Sequence, residues 1–417
     1  MRKSLERAER LAVLVVIAAA LFYHLNKVPF HVDESHWIGL SAPFEAFFQG
    51  KVTDPIWQDR RDKYLTATMT YYVIGAARRI GGWSAERLNP PCSFGLSYQE
   101  YLAERCVPQP ELLWWGRAGV TTTAIAAIFV SFILFERASR RWGAYLWLAL
   151  TLVNPFLRDV LRHAMSEGVL LGTLALAMWA TYRFLRLIGL QQDNWIRWRS
   201  VGWIALAGIA SGLAAQTKIN GGMAVPGVLL VALMASFRFP MAWKRRCVLL
   251  SLAATILAAC AAVAFVGTNP TLWPHPARET LRVVRARAQV MEAQIARSGN
   301  LALPTFSERI RVVPKRVFYD DAILPGMYPT ILFFLVGMVW TALTLGRWLR
   351  KEHENHALVV LTVVGMVVSV PALFTPLDWP RYYVLPVFFS SFQVVLGIHV
   401  LACCIWRASL HVSRRGL

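Results

Sequence analysis

The sequence predicts an all-α, polytopic transmembrane helix bundle of about ten spans, with extracytoplasmic surface helices. Three observations lead there. Of 417 residues, 56% are hydrophobic and the mean hydropathy is +0.44, far from an ordinary soluble domain. Apolar runs of about 15–22 residues recur along the chain, the length a helix needs to cross a hydrocarbon core. Arginine clusters fall in alternate short loops between those runs, which is the pattern of basic residues retained in the cytoplasm. The net charge of +20 would suit nucleic acid, but the basic residues are interleaved with the apolar runs and form no basic domain, which argues against such a partner.

The chain reads as a single transmembrane domain, 1–417, in the cell (inner) membrane. Arg2, Lys3, Arg7 and Arg10 precede the apolar run Leu11–Leu25, an uncleaved anchor with its N-terminus in the cytoplasm. A first extracytoplasmic loop, 26–113, opens on His31-Val32-Asp33-Glu34-Ser35-His36. Desolvating one ionised carboxylate costs several kcal/mol, so this acidic pair belongs in water, at a cavity rim, or against a partner. Ordinary interfacial charges are the bland alternative. Next comes an amphipathic stretch, Tyr64–Ala77, too short to span and expected to lie on the membrane surface. The proline-rich tail of the loop holds Cys92 and Cys106, which an oxidising outer compartment would allow to pair, with two free thiols as the alternative. The six cysteines show no C-x-x-C spacing, and Cys247, Cys260, Cys403 and Cys404 read as small packing residues.

Further spans are expected at 117–135, 143–157, 166–185, 201–217, 222–237, 247–266, 323–345, 357–374 and 384–404. Arg137/Arg140/Arg141, Arg183/Arg186/Arg197/Arg199, Arg238/Lys244/Arg245/Arg246, Arg347/Arg350/Lys351 and Arg407/Arg414/Arg415 then share the cytoplasmic side with both termini. The chemistry-bearing polar residues collect on the other side. A second outer loop, 267–322, contains Leu281, Val284, Ala288, Met291 and Ile295 at helical spacing, flanked by Arg278, Arg282, Arg285 and Arg287. This reads as a basic amphipathic helix on the outer leaflet that guides an anionic lipid donor or acceptor. A solvated face is the alternative.

Three other outer segments carry chemistry. The stretch from Asn154 to Gly168 is basic at Arg158 and Arg162 and then opens the fourth span on Glu167, where the helix dipole alone would stabilise a carboxylate. Gly208 and Gly212 lie in a small-residue helix that ends on Lys218 beside Gly221-Gly222, where a lysine either snorkels or holds a lipid-linked phosphate. Asp378-Trp379-Pro380-Arg381-Tyr382-Tyr383 precedes the last span, and Arg381 offers a planar fork for phosphate oxygens or an interfacial anchor.

In that order these landmarks resemble the GT-C glycosyltransferases, most nearly the protein O-mannosyltransferases and the lipid A aminoarabinose transferase, over Arg10 to about Gly397. The resemblance implies Asp33 as catalytic acid/base, with Glu34 beside it and Glu167 as the second acidic position. It implies Lys218 and Arg381 as ligands of the donor phosphate; apart from the resemblance, Arg162 is a further candidate for that phosphate, and Arg278, Arg282, Arg285 and Tyr382 are candidate guides for lipid or acceptor. The sequence departs from the family pattern at Arg61-Asp62-Lys63-Tyr64-Leu65, has Glu167 where Asp is commoner, and shows no C-terminal soluble domain.

The expected activity is inverting transfer of a sugar from a polyprenyl-phosphate donor to a glycan, lipid or protein acceptor outside the cytoplasm. No cofactor is obligatory in this reading; a divalent metal on His31, Asp33, Glu34 and His36 is the alternative. A transporter or flippase of an anionic lipid or lipid-linked sugar is the competing class, but transporters keep their charges near the bilayer midplane, whereas here they lie at the outer ends.

Overall fold

The computed structural model describes residues 2–59, 67–92, 97–189, 198–238, 242–297 and 299–415, and nearly all of its regular structure is helical. The short helices of the first long loop are α2 (Val32–Gly39), α3 (Pro43–Phe48), α4 (Ile56–Asp59), α5 (Thr68–Ile80) and α6 (Tyr98–Ala103). The long apolar helices are α1 (Arg2–Phe22), α7 (Pro110–Ala138), α10 (Ser166–Gly189), α11 (Trp198–Thr217), α12 (Ala224–Arg238), α13 (Trp243–Gly267), α16 (Pro329–Leu349), α17 (His356–Ser369) and α18 (Val384–Arg415). Helices α8 (Arg141–Val153) and α9 (Pro155–Arg162) fill the gap before α10, and α14 (Pro276–Arg297) with α15 (Phe306–Lys315) lies in the second long loop.

Nine helical segments among the described residues are long and apolar enough to cross a membrane, and a bent pair brings the number to ten. That pair corrects the expected span at 143–157. The chain turns by 68° between α8 and α9, because Pro155 cannot continue the hydrogen-bond ladder and the Asn154 side chain accepts from the Leu157 N–H (2.7 Å) to start a new helix. A second correction concerns 323–345, where α16 starts only at Pro329 after a π turn over Arg316–Asp320 and a non-helical link.

Small residues let the helices approach where lipid offers no hydrophobic drive to association. A Cβ at Gly397 would collide with the Phe333 carbonyl, and one at Gly337 with the Gln393 carbonyl, so α16 and α18 touch backbone to backbone. Gly208 and Gly212 do the same for α11 against α13.

The first long loop is a packed cap. Helix α5 begins at Thr68, and Tyr71, Tyr72, Ile74 and Arg78 are buried, with Ala77 packed closely on Gly119 of α7; residues 64–66 and the Arg61–Leu65 motif lie outside the described residues, as does Arg197. Arg78 is wholly enclosed and donates to Glu45, to the Ser41 hydroxyl and carbonyl, and to the Trp83 carbonyl. Cys92 and Cys106 form the disulfide, with Cα atoms 5.9 Å apart. Ser35 Oγ and Asn89 Nδ2 both donate to the Cys106 carbonyl, which ties the disulfide segment to α2.

Candidate active site

Helix α2 is set by its first turn. The His31 ring accepts from the Asp33 N–H through Nδ1 (3.2 Å), while the Glu34 side chain accepts from the His31 N–H (3.0 Å). Burial, helped by nearby His163 and Arg381, holds His31 below the usual histidine range, so Nδ1 is free to accept. Consecutive residues on a helix point about 100° apart. Asp33 and Glu34 therefore face different surroundings.

Glu34 points into the protein. Its side chain is fully enclosed, and the Arg117 guanidinium forks onto it from α7 (2.8 and 2.7 Å). The Ala164 N–H donates to the same carboxylate (2.8 Å), while Arg117 also donates to the carbonyls of Leu25, Val28 and Pro29. The structure thus sets Glu34, grouped with the catalytic residues by the sequence, apart from the cavity lining, with both of its oxygens engaged by Arg117, His31 and Ala164. Asp33 points the other way, where the Arg381 guanidinium pairs with it directly. Arg381 in turn lies 4.9 Å from the Trp379 ring centre.

On the neighbouring wall, Glu167 at the start of α10 is paired with Lys218 from the end of α11 (3.0 Å) and accepts from the Ser166 hydroxyl (3.2 Å). The Lys218 ammonium also stands 5.0 Å from the Tyr382 ring centre. Its position follows from the Gly221-Gly222 break: α11 stops at Thr217, and Gly221 packs so closely on the Ala214 carbonyl that no side chain would fit. Asp378 does not enter the site as a free carboxylate, since Arg316 forks onto it (2.8 and 2.9 Å) and so anchors the segment that carries Arg381.

Glu167, Lys218, Arg381 and Tyr382 line one cavity of about 950 Å³ with Arg282, Arg285 and Arg287 among others; Asp33 is not itself a lining residue and lies behind Arg381, with which it pairs. One carboxylate and five cations face it, which suits an anionic ligand. Arg162, expected at the donor phosphate, is not among the lining residues and donates to the Tyr23 carbonyl beside α1 (2.6 Å). Arg278 is also outside, 69% exposed and paired with Glu279. Sequence reasoning missed Arg117, whose signal was a lone arginine opening an apolar run. Such a charge needs a buried partner. It had noted Arg287 only as a flank, whereas Arg287 donates to the Tyr382 hydroxyl (3.3 Å).

The proposed metal set does not converge. His31 Nδ1 caps α2, Glu34 is held by Arg117, and Asp33 carries an arginine. The two carboxylates nearest the cavity, Asp33 and Glu167, are paired with Arg381 and Lys218. Cys92, Glu104 and Cys106 also cluster, but the two sulfurs are joined to each other.

Residues 111–269 match the family model for dolichyl-phosphate-mannose-protein mannosyltransferase. The whole fold is similar to an oligosaccharyltransferase of Archaeoglobus fulgidus in its apo form, with a TM-score of 0.54 and 14% identity, over 97% of this chain and 52% of that one. The same archaeal enzyme in complex with an inhibitory peptide and a dolichol-phosphate gives a TM-score of 0.52 and 15% identity, over 98% and 52% of the two chains. A third structure of that enzyme, with Zn and sulfate, gives 0.50 and 14% identity, over 94% and 49%. The chain thus spans about half the length of these solved relatives. No curated protein matches it. The apolar helices make the chain a multi-pass membrane protein, its fold is similar to that of these oligosaccharyltransferase structures, and its matched segment is similar to the mannosyltransferase family.

Proposed function

We propose that this protein transfers a sugar from a polyprenyl-phosphate donor to an acceptor hydroxyl on the extracytoplasmic side of the cell membrane, with inversion. The observation that carries the reading is the pairing of Asp33 with Arg381 and Glu167 with Lys218 at one cationic cavity. A donor phosphate entering there competes with the carboxylates for both cations, and a charge-assisted hydrogen bond to phosphate is the stronger for being bidentate with arginine. Movement of Arg381 onto the phosphate frees Asp33. Asp33 then takes the proton of the acceptor hydroxyl as its oxygen attacks the anomeric carbon from the face opposite the phosphate. The C–O bond to phosphate breaks, and its electron pair leaves with the polyprenyl phosphate, stabilised by Lys218 and Arg381. Arg282 and Arg285 line the same cavity and supply the approach for an anionic lipid.

Cytoplasmic termini and an outward-facing cavity are supported by the alternating arginine clusters and by the disulfide, which belongs in an oxidising compartment. The acceptor is a glycan, lipid or protein. One solved relative is a complex with a peptide and a dolichol-phosphate, which is compatible with a protein acceptor.

The test is reconstitution of the purified protein with a panel of polyprenyl-phosphate sugars and candidate acceptors. Release of free polyprenyl phosphate in step with a glycosylated acceptor is expected. Lipid movement between leaflets without any transfer would replace this reading with the transporter.

A further inference from the structure

A second pocket, of about 140 Å³, lies at the ends of the helices opposite the cavity. Glu167 lines the cavity and Arg186 the pocket, and the 19 helical steps from one to the other on α10 span about 29 Å, close to the thickness of a hydrocarbon core. Helix α17 repeats the relation: His356 and Ala357 at its start line the pocket, while Ala372 and Phe374, just beyond its end, line the cavity.

The pocket is rich in donors. Arg137 is fixed between two rings, 5.0 Å from the Trp179 centre and 5.1 Å from that of Tyr182, and its buried Nη1 has no hydrogen-bond partner. Leaving a buried donor unmade costs about 1–3 kcal/mol, more for a charged one. His356 is 8% exposed, and its Nδ1 accepts from the Trp348 indole N–H (2.9 Å). Its proton therefore sits on Nε2, a second donor. Arg186 supplies a further cation, and the first turn of α17 brings the positive end of its dipole. The carboxylates nearby are committed elsewhere or outward: Glu354 on the rim is 79% exposed and 3.9 Å from Arg238, and Glu136 lies near Arg10 and Arg141.

We propose that this pocket binds the phosphate of an anionic phospholipid headgroup in the leaflet opposite the catalytic cavity. The site is independent of the sugar-transfer reading. It would hold α7, α10 and α17 together at the end of the bundle away from the chemistry.

The experiment is thermal unfolding of the full chain in neutral detergent, with added phosphatidylglycerol, phosphatidylcholine or inorganic phosphate. Phosphatidylglycerol is expected to raise the midpoint where phosphatidylcholine does not. Arg137→Gln and Arg186→Gln should each abolish that rise, while Lys218→Ala, in the cavity, should keep it. A rise with inorganic phosphate that the same two variants abolish would support the phosphate site and make its source a soluble ion. Because Arg186 is exposed, its variant keeps the test open if Arg137→Gln fails to fold. No rise with either ligand, or a rise that survives both substitutions, would overturn the proposal.

Discussion

Replacing Arg117 by Leu should be among the most damaging single changes at the cavity end of the protein. The Glu34 carboxylate is fully enclosed, and without the guanidinium it keeps only the N–H groups of His31 and Ala164. Breaking a buried pair from one side costs about 3–5 kcal/mol, because an uncompensated charge remains in a medium that solvates it poorly. Glu34→Leu should cost a similar amount, since the Arg117 charge would then be left with carbonyls alone. Simple addition would put the double variant at about 6–10 kcal/mol. Removing both charges together eliminates the unpaired ion, so Glu34→Leu/Arg117→Leu should lose far less than that sum. Denaturant unfolding in detergent for the wild type, both singles and the double closes the cycle. A double variant whose loss equals the sum of the singles would refute the reasoning, since it would mean that the two groups are not coupled.

Three further outcomes are expected. Reducing the Cys92–Cys106 disulfide, which closes a loop with a sequence separation of 14, should lower stability by about 3 kcal/mol and loosen α2 through the Ser35 and Asn89 bonds; equal unfolding midpoints with and without reductant would contradict this. Burial pushes Asp321 up to about 6, so the folded state holds its proton more tightly than the unfolded chain, and its favourable contribution is complete below about pH 4 and lost as pH rises through 6. Asp321→Asn should therefore flatten the pH dependence of stability across that window, and an unchanged slope in the variant would count against it. Gly397→Ala should cost about 1–3 kcal/mol by driving a methyl group into the Phe333 carbonyl across the contact of α16 with α18, measured against Gly346→Ala, where the space is open.

Much of the fold was legible because crossing a bilayer demands one property, apolar length, that the sequence states openly. The exceptions are local. The kink at Asn154-Pro155 was signalled by a cap residue followed by proline, yet the apolar run 143–157 carried across it and hid the break. The region before Pro329 reads as apolar from Ala322 to Leu324, but those residues serve as packed turn, and the Ala322 carbonyl accepts from Asn154. In the site, the residue types and their clustering at one end of the helices were readable, and so was the chance of a disulfide. What composition could not divide was the pair Asp33-Glu34. Their separate fates depend on where α2 begins and on Arg117, 83 positions from Glu34. Likewise Arg162 and Arg278 resemble Arg381 and Arg282 in type and side, and only the direction of each helix face separates those that line the cavity from those that do not.

The most direct test of the chemistry is Asp33→Asn in the reconstituted transfer assay, with donor binding measured in parallel. The substitution keeps the size of the side chain and removes the proton acceptor. Transfer should fall by about 10²–10⁴-fold, the range for loss of a general base. Binding of the polyprenyl-phosphate donor should hold or tighten, because Arg381 no longer has a carboxylate to leave. Transfer that continues undiminished in Asp33→Asn would contradict the assignment of Asp33 as the base.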